Sequence, residues 1–198
     1  MTEITSTDSR VSLALLHYPV YDKNRKVVVT AITNLDLHDI ARASRTFGLR
    51  RYYVVTPVPG QQAMAGMIGK HWREGFGAGY NPKRKSALEL VTVLPSLDDV
   101  LSEMERETGR TPRIVVTGAS GQPGALSCSA LAEEIRHSGS TYLLLFGTGW
   151  GLTEEIFTRA DVVLEPVKGP GDYNHLSVRS AVAIILDRLF GRTEPEGI

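Results

Sequence analysis

Two stretches, YLLLFGTGWGL at residues 142–152 and KGPGDYNH at 168–175, decide how this chain is read. The run from Tyr142 to Phe146 is too short for a helix and apolar on both faces, the pattern of a strand buried in a parallel sheet. Gly147, Gly149 and Gly151 follow on alternate positions, where the strand empties into a helix. Glycine there allows positive φ and close approach of main chain to a ligand. A short strand is predicted over 161–164, then the second glycine loop, then an apolar helix over 176–189. Two loops of nearly bare main chain at the carboxyl ends of neighbouring strands make a cradle for a cofactor.

Outward from that stretch, strands and helices alternate. Strands are predicted over 11–18, 27–33, 51–56, 91–94 and 113–117, and helices over 36–47, 61–75, 96–108 and 127–137. Gly48 ends the first helix, Ser96 caps the third, and the glycines between 75 and 79 with Pro82 break the chain. Such alternation predicts an α/β fold with a parallel sheet covered by helices on both faces. At 198 residues the chain has the size of one domain, 1–198, with a loose tail over 193–198.

Composition narrows the classes of function. The apolar runs are too short for a transmembrane span, and residues 1–6 carry Glu3 and no apolar stretch, unlike a signal peptide. The one cysteine, Cys128, cannot form an internal disulfide, which fits a reducing cytoplasm. Formal net charge is zero, so nucleic acid would have to be met by a local basic face. Arg42, Arg45, Arg50 and Arg51 have no acid among them, and Lys83-Arg84-Lys85 follows Tyr80. The acids gather over 98–107 instead, on a helix expected to face away from RNA.

Several familiar chemistries are excluded by spacing. His17, His38, His71, His137 and His175 lie far apart and none sits in HExxH, so metal catalysis has no support. There is no GxxxxGK[ST] and no GxSxG. Thr117-Gly118-Ala119-Ser120-Gly121, continuing to Gly124, imitates the dinucleotide loop of short-chain dehydrogenases. That loop belongs after a first strand, and neither Tyr142 nor Tyr173 has lysine four positions on. It reads better as a third wall of a different pocket.

The interval 34–48 places Asn34, Asp36, His38, Asp39, Arg42 and Arg45 at a strand end and the first helical turns. A capped helix with a solvated face explains Asp36 and Arg45. Arg42, six residues before Gly48 on a helix starting at the same sheet edge as the glycine loops, suits phosphate capture. The segment 39–48, DIARASRTFG, resembles the first motif of the SPOUT RNA methyltransferases, where an arginine stands the same distance before Phe-Gly. Residues 144–152 resemble their second motif. Gly171-Asp172-Tyr173 with the helix over 176–189 is similar to the third, in the form found in bacterial tRNA (guanine-N1) methyltransferases.

The resemblance spans residues 11–190, and it implies a C-terminal trefoil knot in the parallel α/β fold. It implies S-adenosylmethionine in that knot, an RNA substrate such as tRNA or rRNA, and a homodimer. By position, the cofactor would be held near Thr117, Gly118, Ala119, Ser120 and Gly121. The second group is Phe146, Gly147, Thr148, Gly149, Trp150, Gly151 and Leu152. The third is Val167, Gly169, Tyr173, Asn174, Leu176, Ser177 and Val178. Arg42 matches an arginine that assists catalysis, and His38, Asp39 or His175 would accept the proton. The guanine-N1 enzymes take their base from an aspartate in a further C-terminal domain, which residues up to Ile198 do not include. Two other readings remain at this stage: a module that binds S-adenosylmethionine for a non-RNA substrate, and a nicotinamide oxidoreductase.

Overall fold

The computed structural model describes residues 10–192, so the N-terminal stretch read against a signal peptide and the tail expected over 193–198 lie outside the described residues. In chain order the elements are β1 (Val11–Leu16), β2 (Val20–Tyr21), β3 (Val27–Val28), α1 (Asn34–Thr46) and β4 (Tyr52–Val55). Then come α2 (Pro59–Arg73), α3 (Phe76–Tyr80), α4 (Pro82–Leu88), β5 (Val91–Leu94) and α5 (Leu97–Thr108). The C-terminal half holds β6 (Arg113–Val116), α6 (Cys128–His137), β7 (Tyr142–Gly147), α7 (Glu154–Thr158), β8 (Val162–Val163) and α8 (Val178–Phe190).

Side-chain alternation along the strands sorts the core into two layers. Val11, Leu13 and Leu15 of β1, with Tyr142, Leu144 and Phe146 of β7, face one cluster, to which α1, α2, α4, α6 and α8 contribute. Ala14 and Leu16, with Leu143 and Leu145, face the other, closed by Leu97, Val100 and Met104 of α5 and Ile156 of α7. The sheet has six strands in the order β5-β4-β1-β7-β6-β8, every pairing parallel. This is the parallel sheet with helices on both faces that the alternation predicts, and its loops at the carboxyl ends of the strands share one edge.

The structure corrects several boundaries. The strand expected over 27–33 reduces to Val27–Val28, paired antiparallel with β2 outside the main sheet. Val27 and Val29 are exposed, so that run lacks the burial that keeps a strand in a sheet. The helix expected over 61–75 begins earlier, at Pro59, a position where a missing N–H costs nothing. The glycine-rich break after residue 75 holds two short helices, α3 and α4, the second capped by Asn81. Gly77 belongs there because a Cβ would sit 2.6 Å from the Trp72 ring. Helix α7 was also hidden, being only five residues long. Finally, α8 starts at Val178 with Ser177 as its N-cap, so Leu176 stays in the loop.

Candidate active site at the carboxyl edge of the sheet

Helix α1 opens with a reciprocal cap. Asp36 donates its N–H to Thr33 Oγ1 at 3.1 Å, and the Thr33 hydroxyl donates to Asp36 Oδ2 at 2.6 Å. The other carboxylate oxygen of the buried Asp36 takes Arg179 Nη1 at 2.9 Å, from the first turn of α8. Arg179 Nε also lies 3.5 Å from Asp39. One arginine therefore ties the end of the second glycine loop to the helix that carries the candidate catalytic residues.

On another side of α1, His38 stands edge-on to Trp72, with ring centroids 5.5 Å apart, and Arg84 lies 4.5 Å over the Trp72 ring. The His38 pKa is lowered, first by burial and then by the Arg84 charge. Asp39 opposes the shift and Arg42 adds to it. A neutral imidazole at physiological pH is the form that accepts a proton. Arg42 is exposed and has no hydrogen bond or ion pair with another side chain among the described residues. It lines a pocket of about 180 Å³ with Asn81, Lys83 and Arg84. The structure thus gathers Arg42 and His38 with Arg84, and sets Asp39 against Arg179. His175 sits apart in the loop before α8, edge-on to Tyr173 at 6.4 Å.

The three candidate cofactor segments lie at the ends of β6, β7 and β8. Asn174 Nδ2 donates to the Ala119 carbonyl at 2.8 Å, linking the loop before α8 to the loop after β6. A cavity of about 300 Å³ opens between these loops, lined by Gly121 and Gly124 on one side and Glu165, Pro166 and Lys168 on the other. That is the lower end of the range for small-molecule sites. Side-chain positions built at Gly121, Gly151 and Gly169 meet nothing within 4 Å, so the main chain there is open to a ligand. These residues fit a cofactor recognised through backbone groups. Ser120 and Val167 accompany them on the two loops, Val167 packed against the core. Tyr173 and Leu176 are exposed beside them.

Other members of the expected set serve the fold. Phe146 and Leu152 are buried in opposite core layers, leaving only their main chain for a ligand. Gly147 leaves room for Leu152, whose Cγ would be 2.7 Å from an added Cβ. Gly149, at φ 60°, lies against the Tyr21 carbonyl, 2.8 Å from such a Cβ, while Gly118 abuts Phe157. Thr117 donates to the Leu145 carbonyl, Val178 packs on the core, and Trp150 is exposed. The glycine loop is therefore shaped partly by its own neighbours.

One group escaped sequence reading. His17, fully buried just beyond β1, is 3.1 Å from Thr30 Oγ1, which is 2.5 Å from Thr148 Oγ1. Thr148 also donates to the Leu16 carbonyl. Burial pushes the His17 pKa down to about 4, against a smaller opposing pull from Asp36. The chain pins the first glycine loop to β1 and to the segment before α1. Nothing in the spacing of His17, Thr30 and Thr148 announces it.

The dehydrogenase reading fails on geometry as well as order: α6 begins only at Cys128, so no helix N-terminus meets the glycines at 118 and 121. Among the described residues no three His, Cys, Asp or Glu side chains are gathered as a metal site requires, and no helix is long and apolar enough to cross a membrane. The fold, a parallel sheet with its glycine loops on one edge, is shared with the A. aeolicus TrmH/SpoU tRNA modifying enzyme, at a TM-score of 0.55. That match is 16% identical and covers 93% of this chain and 75% of that one. At the level of sequence, the chain is 43% identical to an uncharacterized protein of Aquifex aeolicus, over 93% of this chain and 90% of that protein. It is 41% identical to a tRNA (guanine-N(1)-)-methyltransferase of Oleidesulfovibrio alaskensis, over 90% of this chain but 41% of that longer protein. The model of the SAM-dependent RNA methyltransferase family matches residues 10–191, and the chain belongs to that family.

Proposed function

We propose that this chain transfers a methyl group from S-adenosylmethionine to a nucleotide of tRNA or rRNA, using Arg42 and His38 on α1. The observation that carries the reading is the Arg179 bridge, which brings the start of α8 against the helix bearing both residues. The backbone around Gly121, Gly151 and Gly169 would hold the cofactor, which supplies an electrophilic methyl on a sulfonium when bound. Arg42, without another side-chain partner among the described residues, would fix a phosphate beside the reacting nucleotide. His38, held neutral by burial and by Arg84, would take the proton that the acceptor atom loses as the new bond forms. Asp39, beside Arg179, and His175, in the loop before α8, would be the alternative proton acceptors.

The path of the chain after β8 supports a knotted C-terminus. Leu164 donates to the Val116 carbonyl on one side, while Glu165 donates to Leu126 and Leu126 to Val163 on the other. The segment therefore passes between the end of β6 and the far limb of the β6–α6 loop before reaching α8. Exposed Leu35, two residues after the cap of α1, and Leu176, next to the cap of α8, are apolar surface suited to a homodimer contact. The cytoplasm, where tRNA and ribosomes are modified, is the fitting compartment.

The test is transfer of label from S-adenosylmethionine to bulk tRNA and rRNA. Arg42→Ala is expected to slow transfer at least about tenfold with cofactor affinity unchanged. Wild-type rates in that variant would remove Arg42 from the mechanism. Absence of label on every RNA would remove the reading itself.

A further inference from the structure

Resting on the RNA methyltransferase reading, we infer that α3 and α4 form a platform for unpaired RNA, with bases stacking on Phe76 and Tyr80 and a phosphate held by Lys83 and Arg84. Phe76 and Tyr80 are 80% and 76% exposed, matched among the bulky apolar side chains of the described residues only by Tyr173. Their rings stack on each other at 5.8 Å with an interplanar angle of 22°. Two aromatic rings left in water in this way forgo burial that the core could have offered.

The underside of the same helix explains their posture. Gly77 presses against Trp72 and His71, where an added Cβ would be 2.6 Å from the Trp72 ring and 3.0 Å from His71 Nε2. With that face of α3 fixed on α2, Phe76 and Tyr80, one turn apart, are left outward. Beside them Asn81 caps α4, accepting from the Arg84 N–H, and so places Lys83 and Arg84 around the pocket that Arg42 also lines. Arg84 stacks over Trp72, yet its Nε is buried without a hydrogen-bond partner.

Charge selects the occupant. Over residues 59–88 there are five Lys or Arg and one acid, Glu74, whereas the whole chain is formally neutral. A second copy docking this face on itself would set like charge against like. A polyanion with exposed π-faces matches both features, which is how single strands are bound without a groove to read. In an A-form duplex the bases are stacked on one another and offer the platform nothing.

Equilibrium binding of the full chain to a single-stranded oligoribonucleotide, and to a duplex of equal length, tests this. Phe76→Ala/Tyr80→Ala is expected to weaken single-strand binding about tenfold or more, with duplex binding and S-adenosylmethionine affinity unchanged. Lys83→Ala should lower the slope of log K against log salt by about 0.7. Single-strand affinity at the wild-type level in the double variant overturns the platform alone, provided wild-type protein still binds and methylates RNA. Failure of the wild type to bind any RNA overturns both readings. A change in sedimentation of the double variant, with its RNA affinity intact, would assign the face to contact between copies and also overturn the proposal.

Discussion

His17 shows how much one side chain sets the response of the fold to acid. In the unfolded chain its imidazole titrates near 6.5, and in the folded chain near 4 because burial disfavours the charged form. Between those values the unfolded state binds the extra proton, so stability is full above the unfolded value and falls as pH drops through the window. The loss would approach ~3 kcal/mol once both values are passed. His17→Asn, which can still meet Thr30 but does not titrate there, is expected to flatten this slope whatever it costs at neutral pH. Urea midpoints at pH 7.5 and 4.5 give the comparison. Parallel losses in the two proteins would mean that another group carries the acid sensitivity.

Among the elements, β7 and its glycine loop contrast what sequence reveals with what it hides. The alternation that puts Leu144 in one core layer and Leu145 in the other is periodic, so strand, sheet type and loop position were legible. The same holds for the cap at Ser96, which acts over three residues. Helices α3 and α4 were not, because glycine and proline mask periodicity over a single turn. Nor were the Asp36–Arg179 pair or the His17–Thr30–Thr148 chain, whose members are brought together only by the topology. Gly149 and Gly151 illustrate the point, since both look like ligand glycines and only Gly151 is open. Both have positive φ, so alanine at either is strained by about 1–3 kcal/mol. Gly149→Ala must in addition displace Tyr21, whose carbonyl accepts the Trp150 N–H. We expect it to be clearly less stable than Gly151→Ala in urea unfolding; equal losses would show that Tyr21 yields freely.

Across the whole molecule, formal neutrality conceals segregation. The basic α2–α4 segment packs on one face of the sheet and the acidic α5 on the other. The structure also corrects the sequence-based RNA face: Arg50 and Arg51 both pair with Glu107 of α5, at 3.4 and 3.1 Å. Burial pushes the Glu107 carboxyl up, but the hydrogen bonds and charges of Arg51 and Arg50 outweigh it and hold its pKa below the ordinary value. A carboxylate so held adds stability above its unfolded pKa and loses it as pH falls through the folded one. Those two arginines therefore answer an internal charge, and an RNA phosphate would have to compete with it. Arg50→Gln/Arg51→Gln is accordingly expected to leave RNA affinity and its salt slope within about twofold of wild type, the size of effect left when a phosphate contact is not lost. The same variant should lose stability by about 1 kcal/mol, because Glu107 is left largely buried without its partners. Lys83→Ala should do the reverse, lowering the salt slope at little cost in stability. RNA affinity that falls with the Arg50 and Arg51 charges would move the binding face from the α3–α4 side of the molecule to the end where α5 meets β4.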